Sequence, residues 1–169
     1  VTRGKKEIRY GRIEVRAKVP TGRGTWPAIW TLGTNIKKVG WPACGEIDMM
    51  EFVGYDQDRL HFNVHTKAYN HVMKTNKGTS IDAPKAFRDF HTYTLDWSAE
   101  RIDWYLDGKR VFTYKKPAGA TVDEWPFDAP QYLLLNLAIG GDWGGAQGID
   151  DAIFPSRFEV DYVRVYAPE

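Results

Sequence analysis

Apolar and polar residues alternate with a period of two along most of this chain. Ile13, Val15, Ala17 and Val19 are interleaved with Arg12, Glu14, Arg16 and Lys18. Successive side chains of an extended strand point to opposite faces, so this run predicts a strand with one face in a core and one in water. Tyr93, Leu95 and Trp97, alternating with Thr92, Thr94 and Asp96, predict another, and Ile102, Trp104 and Leu106 a third. Asp107-Gly108 follows, a pair that tolerates the positive φ angles of a tight hairpin, and predicts a turn into a strand from Lys109 to Tyr114. Leu133 to Ile139 is nearly all apolar, the pattern of a central strand covered on both faces. No segment shows a convincing helical period. Short strands with regularly spaced turn signals predict an antiparallel sandwich or barrel, and without repeats or linkers residues 1–169 are expected to form one domain.

Two segments place polar residues on a shared face. From Leu60 to Thr66 the odd positions are His61, Asn63 and His65, against Leu60, Phe62 and Val64. Such a face either meets solvent or lines a polar cleft. Glu46-Ile47-Asp48-Met49-Met50-Glu51 carries three carboxylates and no basic residue. Alternation puts Glu46 and Asp48 on one face and Ile47 and Met49 on the other, and strict alternation would set Met50 beside the acids. One extra residue around Met49-Met50, a β-bulge, returns Glu51 to the acidic face.

Like charges side by side weaken a sheet, so three together ask for a reason. A retaining glycosidase needs two carboxyls about 5–5.5 Å apart, one ionised and one protonated. A third carboxylate beside them can hold the acid protonated by repulsion. The competing readings are a solvated strand face and a carboxylate cluster around a divalent cation. Aromatic residues make up 14% of the chain and include seven Trp. Sugar rings present apolar C–H faces that a rigid indole can stack on. Trp30, Trp41 and Trp143, the last in Gly140-Gly141-Asp142-Trp143-Gly144-Gly145, are the candidates for a cleft, whereas Trp26 is expected in the core. Asn136, a lone amide within an apolar run, needs a partner, either inside the sheet or in a ligand.

A net charge of +1 gives no reason to expect nucleic acid or an acidic membrane as partner. No apolar stretch is long enough to cross a bilayer, and the first residues read as a mature or truncated start. Cys44 is the only cysteine, which excludes an internal disulfide.

Gly45-Glu46-Ile47-Asp48-Met49-Met50-Glu51-Phe52 resembles the active-site signature of family-16 glycoside hydrolases, in the bulged form typical of laminarinases. Tyr10 to Arg16, Trp26 to Trp30, Val64 to His71, Asn136 to Gly141 and Val160 to Tyr166 also match, in the expected order. The resemblance implies a concanavalin-like jelly-roll sandwich of two curved antiparallel sheets, lacking the N-terminal strands that full domains place ahead of this segment. A second polypeptide segment is then expected to supply those strands. It implies an endo-acting enzyme that cleaves β-1,3-glucan or mixed-linkage β-glucan with retention, secreted or held in the periplasm or at the cell surface. Glu46 becomes the nucleophile, Glu51 the acid/base and Asp48 the residue that tunes them. Trp30, Trp41, Asn63, His65, Asn136 and Trp143 are the expected substrate contacts. Catalysis needs no cofactor, but a structural calcium ion held by a carboxylate of the last strand, here Asp161, is implied. Independently, Asp161 shares its parity with Val163 and Val165. A carboxylate on an apolar face wants a partner, whether an Arg, backbone amides or the ion.

Overall fold

Ile13, Val15 and Ala17 turn inward as their alternation predicts, and so do Tyr93, Leu95 and Trp97. A computed structural model describes residues 1–84 and 86–168 and contains ten strands. They are β1 (Gly11–Lys18), β2 (Thr25–Gly33), β3 (Glu46–Glu51), β4 (Arg59–His65), β5 (Lys77–Asp82), β6 (His91–Trp97), β7 (Arg101–Leu106), β8 (Lys109–Lys115), β9 (Gln131–Ile139) and β10 (Glu159–Tyr166). Helical structure among the described residues amounts to one turn, α1 (Ile36–Val39), and a 3₁₀ turn at Asp151–Ile153. The strands form two five-stranded antiparallel sheets, ordered β10-β1-β6-β7-β8 and β5-β4-β3-β2-β9. Their inner faces share a core that includes Ile13, Val15, Ile29, Ile47, Met49, Met50, Phe62, Leu95 and Trp104. Burial of these apolar surfaces is the main term holding the two layers together. The Asp107-Gly108 hairpin joins β7 to β8 with φ of 49° and 79°, the sign that a two-residue turn of this hand requires.

The expected bulge is present. Ile29 pairs with Met50 and Trp30 with Asp48, so Met49 is the extra residue on β3. On the other side Asp48 faces Asn63 and Glu51 faces His61, three residues of β3 spanning two of β4. Both Met49 and Met50 therefore enter the core, and Glu51 returns to the outer face with Glu46 and Asp48. Trp104 of the opposite sheet, fully buried, donates its indole N–H to the Asp48 backbone carbonyl at 2.8 Å, satisfying a carbonyl beside the break in the ladder.

Two expectations need correction. Leu133 to Ile139 lies in β9, an edge strand, not a central one. The N-terminal segment borders it only as far as Leu133, through Ile8 opposite Gln131 and a Thr2 N–H···O=C Leu133 bond of 2.9 Å. Beyond that, Leu135 and Leu137 are half-buried and Ile139 is exposed. An apolar run signals burial, but it cannot say whether a neighbouring strand or a loop supplies it. The parity count at Asp161 also fails, because β10 is bulged: Tyr162 pairs with Arg16 and Val160 with Ala17, leaving Asp161 as the extra residue. Val160, Val163 and Val165, aligned with buried residues of β1, are 41%, 43% and 39% exposed. One flank of the sandwich, along β9 and β10, thus presents apolar surface.

Candidate active site

The outer face of the β5-β4-β3-β2-β9 sheet forms the floor of a cleft of about 820 Å³. β3 contributes Glu46, Asp48 and Glu51; β4 contributes His61, Asn63 and His65; β2 contributes Trp26, Ala28 and Trp30; β9 contributes Asn136 and Ala138. Loops add Trp41, His71, Asn76, Asp142 and Trp143. Among the described residues no lysine or arginine lines this cleft.

Each carboxylate has distinct partners. Trp41 Nε1 donates to Glu46 Oε2 at 2.8 Å. The loop carrying Trp41 is held over the sheet by a small apolar cluster of Leu32, Cys44 and Tyr132. Trp26 Nε1 donates to Glu51 Oε1 at 3.2 Å, and Asn63 Nδ2 reaches Glu51 Oε2 at 3.4 Å, the long limit of a hydrogen bond. Asp48 is almost fully buried, and its Oδ2 has no hydrogen-bond partner among the described residues. His65 Nε2 stands 3.3 Å from that oxygen and 3.9 Å from Glu46 Oε1, but without the alignment of a hydrogen bond. Burial pushes the Glu46 carboxyl well above its usual range, and the neighbouring Asp48 charge adds to this, while His65 and the Trp41 N–H oppose it. Asp48 is likewise raised well above its usual value, first by burial and then by Glu51. Burial raises Glu51 as well, offset by the Trp26 bond, His65 and Asn63. Such a cluster gives up its protons as a unit.

The amide of Asn63 is oriented by its neighbours. Asn76 Nδ2 donates to Asn63 Oδ1 at 2.9 Å, which turns the Asn63 NH₂ toward Glu51. Directly across the ladder stands Gly78, where a Cβ would sit 2.1 Å from Asn63 Oδ1 and 2.4 Å from the Phe62 carbonyl. Glycine is therefore required for this approach.

All nine cleft residues expected from the sequence line the cleft: Glu46, Asp48, Glu51, Trp30, Trp41, Asn63, His65, Asn136 and Trp143. Asn136 accepts a 2.7 Å bond from Trp30 Nε1, so its partner lies within the sheet while its side chain stays exposed to the cleft. Trp26 corrects the expectation of a core residue. It shares the outer face with Ala28 and Trp30, because Ile29 takes the core side, and it packs edge-on against Trp143 at 5.6 Å. His61 meets Trp143 edge-on at 4.7 Å, and burial lowers its pKa. Period two had already placed His61 on the polar face with Asn63 and His65. His71, Asn76 and Asp142 arrive on loops and leave no periodic signal.

Asp161 does not fit a calcium site. Its carboxylate lies on the other sheet, 48% exposed, and pairs with Arg16 at 2.5 Å. A guanidinium beside the single carboxylate is the reverse of the six to eight oxygens that Ca²⁺ gathers. The Arg partner is the reading the structure supports.

Comparison with known proteins agrees with this geometry. A profile of the glycosyl hydrolases family 16 matches residues 1–164. The β-glucanase of Rhodothermus marinus is 49% identical over 174 residues, covering 98% of this chain and 60% of that protein. The crystal structure of the laminarinase from Rhodothermus marinus superposes with a TM-score of 0.94 at 47% identity, over 98% of this chain and 68% of that one. A variant of a non-specific endo-β-1,3(4)-glucanase, co-crystallised with 1,3-β-D-cellotriosyl-glucose, also gives 0.94 at 49% identity, over 99% of this chain and 64% of that one. The chain thus spans about 60% of the length of the Rhodothermus marinus β-glucanase.

Proposed function

The chain belongs to glycosyl hydrolase family 16, and from that premise we propose that it is an endo-acting, retaining glycosidase of β-1,3-glucan or mixed-linkage β-1,3-1,4-glucan. The observation that carries this reading is the bulge in β3. It brings Glu46, Asp48 and Glu51 to one face, beneath a cleft walled by indole rings. Glu46 attacks the anomeric carbon while Glu51 gives its proton to the departing glycosidic oxygen. Glu51 then takes a proton from a water whose oxygen attacks the same carbon and displaces Glu46, which releases the sugar with the configuration it began with. The Trp41 N–H favours the ionised form of Glu46. The Asp48 carboxylate tunes the nucleophile, since its charge raises the Glu46 carboxyl against the Trp41 bond. Burial keeps the Glu51 carboxyl raised, suited to donating a proton nearer neutral pH. Two carboxyls suffice for both displacements, so the step calls for no cofactor.

Trp30, Trp41 and Trp143, with Asn63, His65 and Asn136, serve as the sugar contacts in this reading. A polymer that cannot enter a cell must be cut outside it, which supports a secreted, periplasmic or surface location. Comparing glucanase activity in medium and lysate of the source cells tests this, and activity confined to the lysate would refute it. The apolar flank of Val160, Val163 and Val165 supports a further polypeptide segment laid along β9 and β10. Sedimentation of this chain beside Val163→Lys reads whether that flank is adhesive. Monomers in both samples would count against it.

Incubation with laminarin, mixed-linkage glucan, agarose and xyloglucan, followed by product sizing and NMR of the first-formed anomer, tests the reading. Internal cleavage of the first two with the β-anomer formed first is expected. Cleavage of agarose or xyloglucan alone would refute the substrate assignment. Binding of laminarin with no products at any enzyme concentration would favour a glucan-binding sandwich.

A further inference from the structure

We propose that Glu46, Asp48 and His65 form a binding site for a divalent cation of the Zn²⁺ class, and that the cation and the polysaccharide exclude each other. One donor atom from each residue lies within 4.8 Å of the other two. His65 Nε2 is 3.3 Å from Asp48 Oδ2 and 3.9 Å from Glu46 Oε1. Zn²⁺ bonds of about 2.0–2.2 Å at tetrahedral angles set neighbouring donors roughly 3.3–3.6 Å apart, so the His65–Asp48 pair already fits, the His65–Glu46 pair must close by a few tenths of an ångström, and the Glu46 and Asp48 oxygens start within 4.8 Å of each other. The second, independent observation is that Asp48 is 98% buried, from its 2% exposure, and its Oδ2 aims at His65 without a hydrogen bond.

Charge points the same way. Four carboxylates (Glu46, Asp48, Glu51 and Asp142) line the cleft, and among the described residues no lysine or arginine lining it balances them. A nitrogen donor with two carboxylates suits Zn²⁺, whereas Mg²⁺ and Ca²⁺ prefer sets made only of oxygen. Three protein ligands leave the fourth position open to cleft water, the arrangement of an accessible rather than a closed zinc site. His65 Nδ1 has no hydrogen-bond acceptor among the described residues to orient the ring. Its orientation comes from packing against His71, edge-on at 5.1 Å, and Trp41 at 6.1 Å. The bond from an acceptor to a ligating imidazole strengthens metal binding, so its absence makes this a reversible site.

The binding half stands on geometry alone; the exclusion half rests on the proposed function, because it needs Glu46 as the group that attacks the sugar. Titration of the whole chain with ZnCl₂, followed by calorimetry, is expected to give one bound ion per chain. Co²⁺ in its place should show the visible absorption of a four-coordinate ion. His65→Gln and Asp48→Asn, each first shown by circular dichroism to keep its fold, should weaken Zn²⁺ binding by roughly tenfold or more. His61→Gln, a cleft histidine outside the trio, should leave it unchanged. Equal Zn²⁺ affinity in the wild type and His65→Gln would overturn the site, as would a loss of affinity in His61→Gln matching that in His65→Gln. Laminarin hydrolysis should fall along the same Zn²⁺ saturation curve, and full activity on the Zn²⁺-loaded chain would overturn the exclusion. Zn²⁺ binding with these variant effects, in a chain that cleaves no glucan, would support the site and sink the glycosidase reading instead.

Discussion

Replacing Asp48 by Asn should make this protein more stable near neutral pH, although it removes a carboxylate from the middle of the site. Asp48 is 2% exposed, its Oδ2 has no hydrogen-bond partner among the described residues, and Glu51 repels its charge, opposed in part by a side-chain hydrogen bond with Glu46. Its folded pKa lies above the usual value of 3.8, so the folded state holds a proton that the unfolded chain has released. The contribution to stability is therefore full below that usual value and is lost as pH rises through the folded pKa. Asn carries no charge to desolvate, and its NH₂ can donate to the neighbouring carboxylates. A buried polar group without a partner costs about 1–3 kcal/mol, more when charged, so Asn should recover about that much. For a chain of this length each kcal/mol moves Tm by roughly 2–4 °C, giving a rise of roughly 2–12 °C near pH 8 that shrinks toward zero near pH 4. Scanning calorimetry of both proteins between those pH values measures it. An Asn variant that melts at or below the wild type at pH 8, or a Tm difference independent of pH, would refute the reasoning. Activity gives a second readout: with the Asp48 charge gone, the Glu46 carboxyl moves back toward its usual range, and the acid limb of the pH–rate profile shifts to lower pH.

Glu46→Gln and Glu51→Gln should each lose almost all cleavage yet still bind laminarin-derived oligosaccharides. Azide should rescue them with different product stereochemistry, and more than about a tenth of wild-type activity in both would count against the roles assigned. Gly78→Ala should lower kcat with a smaller change in KM, because the new Cβ, 2.1 Å from Asn63 Oδ1, pushes that amide away from Glu51; unchanged kinetics would show that Asn63 is not positioned from behind. Trp41→Ala and Trp143→Ala should each weaken oligosaccharide binding by about 1–3 kcal/mol. Trp41, 37% exposed, should leave Tm nearly unchanged. A lowered Tm with unaltered sugar affinity would return either residue to a purely structural role.

Local chemistry determined much of this protein in advance. Because a strand has a period of two, the chain itself assigns Ile13, Val15 and Ala17 to the core and His61, Asn63 and His65 to the opposite face. Two adjacent methionines between Asp48 and Glu51 can both enter the core only by breaking the period, so the bulge and the carboxylate face were legible before any strand was paired. Pairing partners were not legible. Nothing between Leu133 and Ile139 says that β9 closes the edge of a sheet, since apolar residues record a demand for burial and not what meets it. Asp161 could not be placed by counting, because the bulge in β10 arises from its register with β1. Trp26 shares its parity with Trp30, so bulk was the wrong guide to its burial; the pairing of β2 with β3 decided that it meets Glu51. Trp41, His71 and Asn76 reach the cleft on loops, and Trp104 supports Asp48 from the facing sheet 56 residues away along the chain. Side-chain alternation is a property of the strand alone, but these placements depend on register and on packing between layers, which exist only once the sheets have formed.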